Sequence, residues 1–134
     1  MIALDRDVLA KLSAANEAVI RHLSQYSNEE WTVPALVAWE SYKAQDSRAD
    51  MQRTQRVLRD ELDRVLDISD ETALEAAYLD EKLRSQDVDM PPVDLLNLAT
   101  AYAEGGTFVT HNKSDFDRQA VHSLADVDIV YTSR

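Results

Sequence analysis

The sequence predicts an open α/β fold, a five-stranded parallel sheet with helices on both faces. Three observations carry that expectation. Short β-prone runs alternate along the 134 residues with segments of helical period. Each strand is joined to the next through helix or a helical turn, as parallel strands require. No linker, repeat or low-complexity tract interrupts the alternation, so residues 1–134 read as one domain with room for a hydrophobic core.

Ile2, Ala3 and Leu4 form the first strand, which runs straight into Asp5. Residues 8–26 carry apolar side chains at 8, 9, 12, 15, 19, 20 and 23, a helical period with a break near 13–16. Trp31, Thr32 and Val33 make a short strand before Pro34, which opens a helix as its first residue. Residues 34–45 and 49–64 then form a helical hairpin, and residues 65–68 a strand. Asp70 and Glu71 start a helix to about Gln86, and 87–90 is a loop. Pro91 and Pro92 open a helix to Ala103 that Gly105 and Gly106 close. Thr107–Thr110 is a strand, followed by a polar loop and a turn near 114–118; residues 127–131 are the last strand.

Composition excludes several classes of function. Without cysteine there is no disulfide, thiolate metal site or thiol nucleophile, which fits a reducing cytosol. The start of the chain lacks the basic and apolar regions of a signal peptide, and no apolar run approaches the roughly 20 residues of a membrane span. A soluble cytoplasmic protein is expected. Both glycines sit at one helix end, which excludes a glycine-rich phosphate loop. The net charge of −11 taken alone argues against nucleic acid, which needs a basic footprint. However, Asp outnumbers Glu 16 to 9, Lys numbers only 4 against 10 Arg, and the acid is spread along the whole chain. That is the surface of a protein kept soluble in high salt, so a halophilic host is the hypothesis.

Among 25 carboxylates, the informative ones have apolar neighbours. Asp5 closes a strand, where ligands of open α/β sheets bind; Asp7 reads as the N-cap of the next helix. Glu40 has Leu36, Val37 and Ala44 as its helical neighbours and so lies in the stripe that faces the sheet, where a charge needs a partner or a metal. Its alternative is the edge of that stripe, reaching water or an Arg. Asp94 starts a helix that is apolar nearly all round, with Asn97 one turn on; the helix dipole by itself would favour an anion there. The segment from Val109 to Asp117 brings His111, Asn112, Ser114 and Asp115 to the same rim as Asp5, in a loop whose residue types are also common turn formers. His111 is left without a catalytic role. Together these oxygen donors suit Mg²⁺ or Mn²⁺, which can bind phosphate oxygens and activate water for in-line attack.

These residues resemble the PIN-domain ribonucleases, and within them the small toxins of VapC type. Leu4-Asp5-Arg6-Asp7-Val8-Leu9 is similar to the family's opening Asp-Thr-Asn-Val-Leu, and the segment from Pro34 to Glu40 to its Glu-bearing helix. Asp94-Leu95-Leu96-Asn97 looks like its Asp-led helix, and the stretch from Gly106 to Phe116 like its closing Thr-x-Asn-x-x-Asp-Phe. The four motifs span almost the whole chain in order. The resemblance implies a three-layer α/β/α sandwich and metal-dependent endonucleolytic cleavage of single-stranded or loop RNA. It further implies a Mg²⁺ or Mn²⁺ centre on Asp5, Glu40, Asp94 and Asp115, with Asn112 as a further catalytic residue. It also implies a homodimer held inactive by a small antitoxin. Two departures stand out. Arg6-Asp7 replaces Thr-Asn, and Asp117 competes with Asp115 as fourth acid. Arg48, Arg53, Arg56, Arg59 and Arg64, along the helical hairpin, either attract RNA or pair with Asp50, Asp60, Glu61 and Asp63.

Two alternatives stand beside this. Asp5-Arg6-Asp7 also fits a haloacid-dehalogenase-like phosphatase with Asp5 as nucleophile. A non-enzymatic receiver domain would take Asp67 as phosphoacceptor, beside Asp5 and Asp7. A PIN fold without catalysis, binding only a partner, is opposed by the acids at all four positions.

Overall fold

The computed structural model describes residues 1–132. Its strands are β1 (Ile2–Leu4), β2 (Trp31–Pro34), β3 (Arg64–Leu66), β4 (Thr107–Thr110) and β5 (Val127–Ile129). They form one sheet in the order β3-β2-β1-β4-β5, parallel at every pairing. Helices α1 (Arg6–Ser13), α2 (Glu17–Leu23), α3 (Ala35–Lys43) and α4 (Arg48–Glu61) connect β1 to β2 and β2 to β3. Helices α5 (Asp70–Arg84) and α6 (Pro92–Ala103) connect β3 to β4, and α7 (Lys113–Phe116) and α8 (Gln119–His122) connect β4 to β5.

Strand side chains alternate between two cores, which makes the arrangement three-layered. Ile2, Leu4, Val33 and Val109 pack against Val8, Val19, Val37 and Leu58 of the first four helices. Ala3, Leu66 and Phe108 pack on the other face against Leu79 and Leu98 of α5 and α6 and against Phe116.

The expected break in the first helical stretch is present. Ala14 caps α1, Ala15 takes a positive φ of 57°, and the Asn16 side chain accepts from Val19 N at 3.1 Å to start α2. Several boundaries differ from expectation. Pro34 is not the first helical residue; it pairs with Leu66 in the sheet and its extended backbone caps α3. Proline's fixed φ suits both positions. Helix α4 ends at Glu61, because Asp63 N donates to Trp31 O (2.8 Å) and the Asp63 carboxylate accepts from Trp31 N (2.7 Å). Those bonds draw the chain into β3 early, so it covers Arg64–Leu66 rather than 65–68 and leaves Ile68 exposed. Helix α5 stops at Arg84, and β5 at Ile129. Gly105 does close α6, with the positive φ (+71°) that a helix C-terminus favours.

The strand order matters for the site. From β1 the chain steps to β2 and β3 on one side, while β4 and β5 lie on the other. The C-terminal ends of β1 and β4 therefore flank the point where the order reverses, which is where open α/β sheets form a binding crevice.

Candidate active site

Asp5 stands at that reversal, held from two directions. Its Oδ1 accepts from the backbone N of Arg6 at 2.8 Å, so Asp5, and not Asp7 as the sequence led us to expect, caps α1. Its Oδ2 accepts from Thr110 Oγ1 at 2.7 Å, across the β1–β4 boundary. Thr110 is fully buried, and its hydroxyl oxygen also accepts from Asn112 N at 3.0 Å. Asp7 lies exposed in the first turn of α1, two residues too late for the cap.

Asn112 organises the β4–α7 turn. Its Oδ1 caps α7 by accepting from Asp115 N (3.2 Å), and its Nδ2 donates to Asp115 Oδ2 (2.9 Å). The two residues are thus locked into one unit. Asp117 points elsewhere: exposed, it accepts from His122 Nε2 at 3.0 Å and from the Tyr131 hydroxyl. These donors, the Tyr131 bond foremost, hold its carboxyl below the ordinary range. Asp117 is thus engaged away from the other acids, whereas Asp115 is among the groups that perturb Asp94.

Glu40 and Asp94 approach from opposite layers, on α3 and α6, two helices in contact. Arg6 Nη1 lies 3.7 Å from Glu40 Oε2. Asp94, half-buried in the first turn of α6, has its carboxyl pushed up from 3.8 to about 7. Burial is the largest cause, followed by the neighbouring Asp115 carboxylate, then repulsion from Asp5 and Glu40. Burial likewise raises Asp5, against the opposing Thr110 bond. The four acids thus feel one another although they come from four separate segments. Asp5, Arg6, Asp7, Glu40, Asp94 and Asn112 line one cleft of about 270 Å³. Asn97, one turn beyond Asp94, is buried and its Oδ1 has no hydrogen-bond partner.

The side chains present fit a divalent cation in chemistry. The donors are all oxygen, and their mutual repulsion is what a dication relieves. As the side chains stand, no three acidic or histidine groups among the described residues close around a common point. Thr110, the Thr of the closing Thr-x-Asn-x-x-Asp-Phe stretch, and Arg6 grip or face two of the acids, roles the sequence did not assign them. Only the register of β4 on β1 brings Thr110 to Asp5. His111 Nδ1 hydrogen-bonds with Val130 O at 2.8 Å, and its Nε2 is buried without a partner.

The PIN-domain profile matches residues 2–121. The chain belongs to the PIN-domain family. Solved structures with the same fold include FitAB bound to an IR36 DNA fragment, at a TM-score of 0.79 and 18% identity over 100% of this chain and 98% of that one. VapBC2 from Rickettsia felis, bound to a DNA fragment from its promoter, gives 0.74 and 18% over 96% and 98%. A toxin–antitoxin complex from Klebsiella pneumoniae gives 0.74 and 18% over 99% and 100%. No curated protein matches the chain by sequence.

This PIN fold sets aside both alternatives. A receiver would bring Asp67 beside Asp5, but β3 is an edge strand with β2 between it and β1. The phosphatase had no use for Glu40, which here shares the cleft with Asp5.

Proposed function

We propose that this protein is a divalent-metal-dependent endoribonuclease acting on single-stranded or loop RNA, and the toxin of a toxin–antitoxin pair. The observation that carries the proposal is the convergence of Asp5, Glu40 and Asp94, with Asn112, on one cleft of a PIN-domain chain. Asp5, Glu40, Asp94 and Asp115 would hold Mg²⁺ or Mn²⁺, which supplies charge against the phosphate and lowers the pKa of water. Thr110 and the Arg6 N–H fix the orientation of Asp5. Asn112 fixes the carboxylate of Asp115. Arg6, more than half exposed beside Glu40, is free to lean toward a substrate phosphate.

An antitoxin partner is supported by the toxin–antitoxin complexes among the solved structures of this fold. Homodimer formation and a cytoplasmic site of action belong to the same proposal. So does a high-salt host, for which the net charge of −11 is the support. No helix among the described residues is long and apolar enough to cross a membrane.

The test is thermal unfolding of wild type and Asp94→Asn in high KCl, with EDTA or a Mn²⁺ titration, alongside cleavage of single-stranded RNA. A Mn²⁺-dependent rise in melting temperature in wild type only, with RNA cleavage that Asp94→Asn loses, is the expected result. No rise in either protein would reduce the chain to a binding module.

A further inference from the structure

We propose that Trp39 and Tyr131, each with a lysine over its ring, are stacking platforms that carry single-stranded RNA across the acidic cleft. This rests on the ribonuclease reading and supplies what that reading lacks, a source of RNA affinity in a chain of net charge −11. The arginines of the helical hairpin do not supply it in full. Arg53 is spent on Asp50, and Arg64 on Glu30 (2.8 Å) and Glu104 (3.1 Å).

On α3, Leu36, Trp39, Glu40 and Lys43 recur at i, i+3, i+4 and i+7 and share one face. The indole of Trp39 therefore emerges beside the cleft acid Glu40. It is 47% exposed, and Lys43 Nζ lies 4.1 Å from its ring centroid. The other tryptophan behaves differently: Trp31 donates its Nε1 to Tyr26 O at 2.8 Å and packs against the core. Tyr131, just beyond β5, is 57% exposed with Lys113 Nζ at 4.8 Å from its ring. Its hydroxyl bond to Asp117 fixes the ring's orientation. Lys113 follows Asn112 directly, so this second pair borders the other end of the site.

Sheet order sets the two platforms apart. Trp39 follows β2 and Tyr131 follows β5, with β1 and β4, which carry Asp5 and Thr110, between them. Three strand spacings correspond to about 14 Å at the level of the sheet. A single strand laid along this edge meets a ring and an ammonium on each side of the acids. Rings accept any base face, and ammonium groups meet the flanking phosphates. Neither lysine has a carboxylate within 4.0 Å among the described residues, so their charge is available. Stacking also survives high salt, where phosphate contacts are screened. A second copy of the chain could cover Trp39, but it would not account for a matching aromatic–lysine pair across the cleft.

The experiment is fluorescence anisotropy of a short fluorescein-labelled single-stranded RNA in EDTA, at low and high KCl, with oligomeric state measured by sedimentation. Trp39→Ala and Tyr131→Ala are each expected to weaken binding about tenfold or more. Trp39→Phe and Tyr131→Phe, which keep a ring, should retain most of it, and the dependence on salt should be shallow. The Mn²⁺-induced rise in melting temperature should be the same in Trp39→Ala as in wild type. Wild-type affinity in both alanine variants would overturn the platforms while leaving the nuclease standing. So would a Trp39→Ala protein that changes oligomeric state and still binds RNA, which would make this face a contact between copies. If wild type neither binds RNA in EDTA nor cleaves it with Mn²⁺, the ribonuclease reading falls as well.

Discussion

Asp94 is the residue at which site chemistry and stability oppose each other. Its carboxyl is raised to about 7 in the folded protein against an ordinary 3.8. In chelator the folded state therefore holds a proton that the unfolded chain has lost, and its stability rises as pH falls through 7 toward 4. Asp94→Asn removes both the charge and this slope. It is expected to unfold later than wild type in EDTA above pH 7, by about 1 kcal/mol given the water around a half-buried group. That advantage should vanish near pH 4, and urea unfolding at several pH values checks it. Thr110→Val makes the opposite case. It leaves the Asp5 oxygen without its buried donor and should cost about 1–3 kcal/mol by the same assay, with Thr110→Ser restoring most of it. Asp5, Glu40 and Asp94 could be singled out from sequence because each interrupts an apolar pattern. Thr110 falls in the closing Thr-x-Asn-x-x-Asp-Phe stretch, but its grip on Asp5 could not be read there: that bond spans 105 positions and exists only through strand register. Nor could Asp115 be separated from Asp117, since that depends on which way two neighbouring side chains turn after a four-residue helix.

Among the secondary-structure elements, periodicity located every strand and most helices, but long-range bonds decided several ends. The early start of β3 comes from Trp31 and Asp63, which are 32 residues apart and form no local signal. The gap between α1 and α2 was legible because helical period fails there. What the pattern did not reveal is that Ala15 turns it in the left-handed region, at a φ of 57°. An L residue pays about 1–2 kcal/mol for that conformation, and glycine loses more entropy on folding. Ala15→Gly is therefore expected to raise stability by roughly 0.5–1 kcal/mol, read as a later thermal midpoint. Ser69 and Thr72 form a reciprocal capping box at the start of α5. Ser69→Ala should lower stability by about 1 kcal/mol in the same measurement.

For the whole molecule, the distributed acid makes ionic strength the variable to change. Self-repulsion among 25 carboxylates against 14 Lys and Arg is screened by salt. The thermal midpoint should rise by about 5 °C or more between dilute and molar KCl; indifference to KCl would set aside the high-salt host. The sheet itself was legible as parallel and five-stranded, whereas its order was not. That order places β1 in the middle, paired on one flank with β2 and on the other with β4, so that Ile2 lies beside Thr107. A growing chain on the ribosome thus makes its β1 strand about a hundred residues before that strand's second neighbour, β4. Until then Asp5 has no Thr110, and Asn112 and Asp115 do not yet exist. No nascent chain that stops short of Asp115 can assemble the acidic cluster, so the site forms late and all at once.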